Sequence, residues 1–421
     1  VHVSADAKPG TYRSKILVRA PATKIAPGPP RRAVLKELTY ELQVLPIKLA
    51  TAHQTGMAFF MFNNTLYYPP GLLTEKYQQR VFQDMRAHGM TTATVYSYCR
   101  SGQHPGEPPV GFVDDEFRMT CRTKTHLGFA RTMALLEKTK LVAPGVPVLW
   151  LGPEGYSPEV WKALLDEGRK KGWPEILFYA VDEPEEERNP RVRAFMRQFN
   201  AFRRKHPEYG ARVTTALGSS HGIQAVGHYY DLWIGCMAMR IGESGMIEDA
   251  RMQKKELWTY DCMLAPIDAE TERYRFGVWA WVSGVRGCAH WSYFDGRPTL
   301  SYVYPARDEI IPTVGWEAVR EGIDDYRYLW TLKRLTGKAR AAGRADLVAA
   351  AGKVFRQVRQ MVTMDNYGKA YHKGLTRGPS GGAYLRPRVE PKLKVESYGR
   401  MRLKAAGAIA ELQHELGASQ R

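Results

Sequence analysis

The feature that most constrains the fold is an alternation of short apolar runs with amphipathic helical patterns between residues 56 and 292. Such runs, separated by helical periodicity, are typical of parallel strands that are buried on both faces. Eight runs are predicted to be strands: 56–62, 92–98, 146–151, 176–181, 213–217, 231–234, 256–260 and 287–292. Eight units over about 240 residues match the size of a (β/α)8 TIM barrel. A doubly wound open sheet is the alternative, but no GxGxxG motif follows the first run.

Helical spacing of apolar residues predicts helices both between these strands and after them. The predicted helices are 75–87, 129–140, 158–171, 190–205, 316–335, 339–364 and 395–416. Two runs near the start, 14–20 and 38–46, alternate apolar and polar residues and are predicted to be strands. We therefore predict three parts: the C-terminal part of a β-domain (1–48), a (β/α)8 barrel (49–312) and a C-terminal helical extension (313–421).

Composition excludes several classes of protein. No run of about 18 apolar residues occurs, so no membrane span is predicted. The net charge of +18 permits a nucleic acid or an anionic glycan as a partner, but no helix-turn-helix, RRM or zinc-finger spacing supports nucleic acid. The five cysteines form no CxxC pair, which argues against a zinc ribbon or a dense disulfide framework. Cys236, Cys262 and Cys288 are predicted to be buried free thiols, and pairing of Cys99 with Cys121 is left open.

The fourth strand run ends abruptly in Asp182, Glu183 and Pro184. Acids at the carboxyl end of a barrel strand lie where this fold places its chemistry, so Asp182 and Glu183 are the candidate catalytic pair. A solvated strand end is the alternative, because three more glutamates follow at 185–187.

Other predicted strand ends are rich in carboxylates and aromatic rings. Sugar rings present apolar C–H faces and a rim of hydroxyls, so such a set suits a carbohydrate substrate. For each tryptophan taken singly, core packing is the alternative. The candidate substrate-binding residues are Tyr98, Trp258, Tyr260, Asp261, Trp291 and Tyr293.

Two mechanisms of glycosidic cleavage fit these residues. In one, Asp261 is a carboxylate nucleophile that faces Glu183 across the barrel mouth. In the other, the 2-acetamido oxygen of the substrate attacks the anomeric carbon, Glu183 is acid and then base, and Asp182 holds the amide. Adjacent acids favour the second scheme, because both must touch one sugar unit. No HExxH motif, His/Cys cluster or Walker loop is present, so no metal and no cofactor is predicted.

Three segments carry a resemblance to a known family. They are His88-Gly89-Met90-Thr91-Thr92, Tyr179-Ala180-Val181-Asp182-Glu183-Pro184, and the stretch from Trp316 to Leu329 that contains Arg320-Glu321-Gly322-Ile323-Asp324-Asp325-Tyr326. In these segments the sequence resembles glycoside hydrolase family 123 and related bacterial proteins of unknown function, over roughly residues 35 to 335.

The resemblance implies a β-sandwich before the barrel and retaining exo-β-N-acetylgalactosaminidase activity through an oxazolinium intermediate. Glu183 then corresponds to the acid/base and Asp182 to the residue that orients the acetamide. Two alternatives stay open: a retaining glycosidase that uses Asp261 on a sugar without the acetamide, and a non-catalytic binder of an anionic glycan. The helix from Glu317 is predicted to pack on the barrel, with Arg320 and Asp324 as an ion pair within it.

Overall fold

The structure is a computed structural model of the 421-residue chain. It describes residues 6–19, 34–64, 67–72, 74–96, 129–184, 189–218, 220–236, 246–262, 269–297, 300–362, 375–377, 383–385 and 393–418. The predicted site residue Tyr98, and the cysteines Cys99 and Cys121 whose pairing was left open, lie outside these ranges.

The chain begins with an antiparallel hairpin of β1 (Gly10–Arg19) and β2 (Val34–Val44). Eight further strands form one all-parallel sheet in the order β3-β10-β9-β8-β7-β6-β5-β4. They are β3 (Ala58–Phe62), β4 (Thr94–Tyr96), β5 (Val148–Leu151), β6 (Ile176–Tyr179), β7 (Arg212–Leu217), β8 (Leu232–Cys236), β9 (Glu256–Asp261) and β10 (Gly287–Trp291). All eight predicted strands are therefore found.

The sheet closes on itself between β3 and β4 through side-chain hydroxyls. The N–H of Phe59 donates to Oγ1 of Thr91 (2.8 Å), and the N–H of Thr91 donates back to the carbonyl of Phe59 (2.8 Å). Farther along, the N–H of Asn63 donates to Oγ1 of Thr94 (3.1 Å). Because both edges are joined, the predicted (β/α)8 barrel is confirmed.

The seven predicted helices are found, with ends that shift by up to six residues, and within the described ranges four short α-helices that were not predicted lie between the later barrel strands. Those between barrel strands are α1 (Glu75–Ala87), α2 (Phe129–Thr139), α3 (Pro158–Lys171), α4 (Asn189–Lys205), α5 (Ser220–Val226), α6 (Met246–Met252), α7 (Ala269–Tyr274) and α8 (Ala280–Ser283), with a π-helical turn at Arg275–Trp279 between the last two. After the barrel come hairpin β11 (Val303–Pro305) and β12 (Ile310–Pro312), helices α9 (Val314–Ala341) and α10 (Ala345–Met361), hairpin β13 (Leu375–Arg377) and β14 (Ala383–Leu385), and helix α11 (Val395–Ala418).

Alternate residues of each barrel strand fill two different cores. On β9, Trp258 and Tyr260 point inward and pack in the barrel interior. Leu257 points outward, into the larger core between the sheet and the helices. This alternation follows from the period of a strand, and it decides which strand-end residues can reach the barrel mouth.

Helix α9 packs directly on the barrel wall, as predicted. A Cβ at Gly277 of the π-helical turn would lie 2.9 Å from the carbonyl oxygen of Gly322 in α9, so the two backbones touch. Asp325 of α9 is fully buried and pairs with Arg273 (2.8 Å) and with Arg402 of α11 (2.5 Å).

One predicted pair on α9 is wrong. The guanidinium of Arg320 donates to Glu317 (2.6 and 3.0 Å), whereas Asp324 pairs with Arg327 (2.5 Å). Both observed pairs have i,i+3 spacing, which brings side chains on a helix surface as close as i,i+4 does.

The three cysteines in the described residues are free thiols, as predicted, with Cys236 and Cys288 buried and Cys262 partly buried. A hydrogen bond with Cys236, together with burial, raises the pKa of Cys262. None of the helices in the described ranges is long and apolar enough to cross a membrane.

Candidate active site

The turn after β6 brings two adjacent acids to the same side of the chain. Consecutive residues of a strand point to opposite faces, so a simple extension of β6 would separate Asp182 from Glu183. Instead, Val181 has φ = 55° and Glu183 has φ = 41°, both in the left-handed region. A β-branched residue is a genuine outlier there. The turn therefore breaks the alternation at the point where the acids follow.

Each acid accepts a hydrogen bond from a tyrosine that belongs to the barrel interior. The hydroxyl of Tyr179 donates to Oδ1 of Asp182 (2.5 Å), and the hydroxyl of Tyr260 donates to Oε1 of Glu183. Both tyrosine rings lie in the inner core, so both carboxylates lie over the barrel mouth. Burial raises the pKa of Tyr260 well above its usual value, so the hydroxyl keeps its proton and remains a donor.

Aromatic rings form the floor beneath these acids. The ring of Phe62 lies at the centre, 6.0 Å from Tyr179, 6.0 Å from Tyr260 and 5.7 Å from Trp291, measured between ring centroids. These separations are typical of favourable aromatic pairs. Each ring of the floor therefore packs against at least one other aromatic ring.

Trp291 is the partly exposed member of this floor, and its orientation is fixed at one edge. Its indole N–H donates to Oδ2 of Asp295 (3.0 Å), and Asp295 also accepts from Nε of Arg297 (2.7 Å). Burial alone would raise the pKa of Asp295, but its bonds with Arg297 and Trp291 lower it, so the carboxylate stays ionised.

Glu154 lies beside the turn, in the short 3-10 helix Pro153–Gly155 that follows β5. Its carboxylate accepts a hydrogen bond from the backbone N–H of Val181. Burial raises the pKa of Glu154, and the nearby charge of Asp182 adds to this. Glu154 thus connects the end of β5 with the conformation of the turn.

The structure does not bring Asp261 into the mouth. It follows Tyr260 on β9 and therefore points to the opposite face, where it is fully buried with Oδ2 3.7 Å from Nη1 of Arg275. Glu272 lies 3.4 Å from Arg275 and 3.8 Å from His290, and all four side chains have no exposed surface. We call Asp261, Glu272, Arg275 and His290 the rear cluster.

Two predicted aromatic site residues also lie away from the acids. Trp258 is 1% exposed, and its indole N–H donates to Glu256 (2.8 Å) at the amino end of β9, opposite the mouth. Tyr293 is fully buried in the outer core, where its hydroxyl donates to Asp84 (2.7 Å). The indole N–H of Trp316 in α9 donates to the same carboxylate (2.9 Å), so Asp84 of α1 is the residue that joins Tyr293 and α9.

Of the predicted site residues, Asp182, Glu183, Tyr260 and Trp291 are brought together. Sequence reasoning missed two members of the floor, Tyr179 and Phe62. Each is the last residue of its strand, and its side chain points into the barrel. The strand ends and the alternation of side chains along a strand could have identified both residues. Among the described residues, no group of three His, Cys, Asp or Glu side chains could hold a metal ion.

These features define a (β/α)8 barrel with an acidic pair over an aromatic floor at its mouth. No protein-family model and no curated protein matches the sequence. The structure is similar to that of a family 123 glycoside hydrolase from Clostridium perfringens, described in a study of glycolipid glycan hydrolysis. The TM-score is 0.60 at 13% sequence identity, and the similarity covers 96% of this chain and 77% of that chain.

Two other solved structures are less similar. Gas2p from Saccharomyces cerevisiae, in complex with laminaritetraose and laminaripentaose, has a TM-score of 0.42 at 15% identity and covers 64% of this chain and 63% of that one. A sugar phosphate isomerase/epimerase from Parabacteroides distasonis has a TM-score of 0.38 at 11% identity, with 65% and 94% covered. The resemblance to family 123 expected from the sequence is confirmed as a likeness of fold.

Proposed function

We propose that the protein is a glycoside hydrolase, specifically a retaining exo-β-N-acetylgalactosaminidase that uses substrate assistance and no cofactor. The proposal rests on one observation. Asp182 and Glu183 lie on the same side of the chain, and each accepts a hydrogen bond from a different tyrosine above an aromatic floor. The likeness of fold to a glycoside hydrolase of family 123 supports the same reaction class.

In the first step, Glu183 donates its proton to the glycosidic oxygen as the bond from that oxygen to the anomeric carbon breaks. The carbonyl oxygen of the substrate's 2-acetamido group attacks the anomeric carbon from the opposite face and forms an oxazolinium ring. Asp182 accepts a hydrogen bond from the amide N–H, which makes the carbonyl oxygen more nucleophilic and stabilises the positive ring.

In the second step, Glu183 removes a proton from water as that water attacks the anomeric carbon. The bond from this carbon to the acetamide oxygen breaks, and the acetamide is restored. Two inversions give net retention of configuration, and Glu183 is again protonated, ready for the next cycle. Trp291, the partly exposed member of the aromatic floor, offers an apolar face to the C–H side of the sugar.

The alternative with a carboxylate nucleophile needs Asp261 in the mouth. Its side chain is fully buried on the opposite face of β9, beside the guanidinium of Arg275. A nucleophile must touch the anomeric carbon, and from there Asp261 has no path to the floor formed by Phe62 and Tyr260. The position of Asp261 therefore supports substrate assistance.

Hydrolysis of an aryl β-N-acetylgalactosaminide tests the proposal. We expect turnover by the wild type, inhibition by a thiazoline mimic of the oxazolinium, and losses in kcat of about 10²–10⁴-fold for Asp182→Asn and for Glu183→Gln. Asp166→Asn, which changes an exposed acid of α3, is the matched control and should leave kcat unchanged.

Two outcomes would contradict the proposal. Trapping of a covalent glycosyl-enzyme by a 2-fluoro sugar would show a carboxylate nucleophile in place of the acetamide. Binding of anionic glycans without turnover of any glycoside, weakened steeply by salt, would show a binding protein.

A further inference from the structure

The left-handed conformation of Val181 is held from both sides of β6. Backbone in this region is strained for a β-branched residue, and such a conformation persists only where the surroundings fix it. On the β5 side, the carboxylate of Glu154 accepts from the N–H of Val181. On the β7 side, Oγ1 of Thr215 donates to the carbonyl of Val181 (2.7 Å). Both polar groups of one residue are thus bonded by side chains, one from the short 3-10 helix that follows β5 and one from β7.

Thr215 has no exposed surface, and its hydroxyl bonds the Val181 carbonyl across to the next strand. Oε2 of Glu154 is buried and has no hydrogen-bond partner among the described residues. An unsatisfied buried carboxylate oxygen costs stability, and here it lies beside Asp182, which is also acidic.

We propose that Glu154 and Thr215 are positioning residues that hold the Val181 peptide so that Asp182 and Glu183 both face the mouth. The inference rests on the proposed function, because Glu154 and Thr215 are proposed to place the two acids that carry out the proposed reaction. Without these bonds, Val181 relaxes towards extended backbone, and strand alternation then turns one acid away from its tyrosine.

The proposal is tested in two steps: the first variant removes the hydrogen bond between Glu154 and Val181, and the second removes the steric strain at Val181. Glu154→Ala removes the acceptor, and we expect kcat on the aryl glycoside to fall about 10–100-fold with little change in KM. Glu154→Gln keeps an acceptor oxygen and should stay within a few-fold of the wild type. Glycine adopts positive φ without a steric penalty, so Val181→Gly in the Glu154→Ala background should recover about tenfold of the loss.

Rescue by glycine separates positioning from a merely structural role. Val181→Gly alone should keep most of the activity, and Glu411→Ala on the exposed face of α11 is the control for loss of a glutamate. If Glu154→Ala leaves kcat unchanged, or if glycine restores none of it, Glu154 does not position the acids. Should Glu154→Ala fail to fold, Thr215→Val with and without Val181→Gly gives the same comparison.

Failure of the proposed function is distinguishable from failure of this inference. If the wild type cleaves no aryl glycoside, the proposed activity is wrong, and the positions of the acids are then read from crystal structures. In Glu154→Ala, one acid should leave its tyrosine, Asp182 leaving Tyr179 or Glu183 leaving Tyr260, whereas in Glu154→Gln both bonds should remain. Retention of both bonds in Glu154→Ala would overturn the inference.

Discussion

The mouth of the barrel and the rear cluster both contain carboxylates from strand ends, yet their surroundings are opposite. At the mouth, Asp182 and Glu183 are bonded by tyrosine hydroxyls and reach solvent. In the rear cluster, Asp261 and Glu272 have no exposed surface and lie beside the guanidinium of Arg275. Tyr260 and Asp261 are neighbours on β9, yet Tyr260 belongs to the mouth and Asp261 to the rear cluster.

The difference teaches that the partner of a carboxylate decides what it can do. A buried guanidinium holds the carboxylates beside it in place, and loss of one partner leaves uncompensated charge in the interior. A tyrosine hydroxyl is neutral and orients a carboxylate while leaving it able to take up and release a proton. The mouth is therefore suited to proton transfer and the rear cluster to holding β9 against the π-helical turn.

The largest expected effect comes from breaking the rear cluster. Arg275→Met removes the cation between Asp261 and Glu272, and we expect the free energy of unfolding to fall by about 3–5 kcal/mol. Denaturant unfolding measures this loss. Activity per folded molecule should stay within a few-fold of the wild type, because no member of the cluster reaches the mouth.

The matched control is Arg204→Met, which removes an exposed arginine of α4 and should change stability by less than about 0.5 kcal/mol. An Arg275→Met protein as stable as the wild type but catalytically dead would reverse the comparison, since the rear cluster would then belong to the active site.

A smaller effect is expected from removing a single hydroxyl at the mouth. The Tyr260 hydroxyl stabilises the ionised form of Glu183, so its loss in Tyr260→Phe raises the pKa of that acid. We expect kcat to fall about tenfold, since a hydrogen bond to a charged group contributes about 1.5–3 kcal/mol. The alkaline limb of the pH–rate profile should move to higher pH by about one unit.

Tyr179→Phe sharpens this result, because Tyr179 bonds Asp182 and not Glu183, the proposed acid/base. It should lower kcat and leave the alkaline limb in place. Equal shifts of the limb in both variants would mean that the two acids titrate as one unit, and their separate roles would be lost.

The smallest effect is expected from two aromatic side chains, Trp291 at the mouth and Trp258 in the barrel interior. Trp291→Leu removes a stacking surface worth about 0.5–1.5 kcal/mol, so we expect KM to rise about 2–10-fold. Trp258→Leu changes a ring packed deep in the barrel, and it should lower the melting temperature without altering KM. Steady-state kinetics and thermal unfolding of both variants check this, and an unchanged KM in Trp291→Leu would remove that ring from the substrate site.

Sequence pattern predicted the barrel well because burial on both faces leaves a continuous apolar run at each strand. It predicted the helix bounds at Glu75–Ala87 and Pro158–Lys171 without error. The pattern did not decide which face a strand-end residue uses, so Asp261 and Trp258 were assigned to the mouth with Tyr260. Which residues of β9 point into the barrel depends on how the strand is aligned with its neighbours. That alignment is set by contacts between strands.

The turn at Val181 could not be predicted at all. Left-handed backbone is expected at glycine or asparagine, and a valine gives no such signal. The proposed division into a sandwich part, a barrel and a helical extension stays a prediction.

The contact between Gly277 and Gly322 bears on how the protein comes apart. With no side chain between the two backbones, α9 cannot slide or tilt on the barrel wall without separating from it. A fragment that ends at residue 312 would lack α9. It would expose the backbone at Gly277 and the apolar surface that α9 covers in the whole chain. Such a fragment is expected to aggregate rather than to work as a smaller enzyme, so the helices after the barrel are part of its wall.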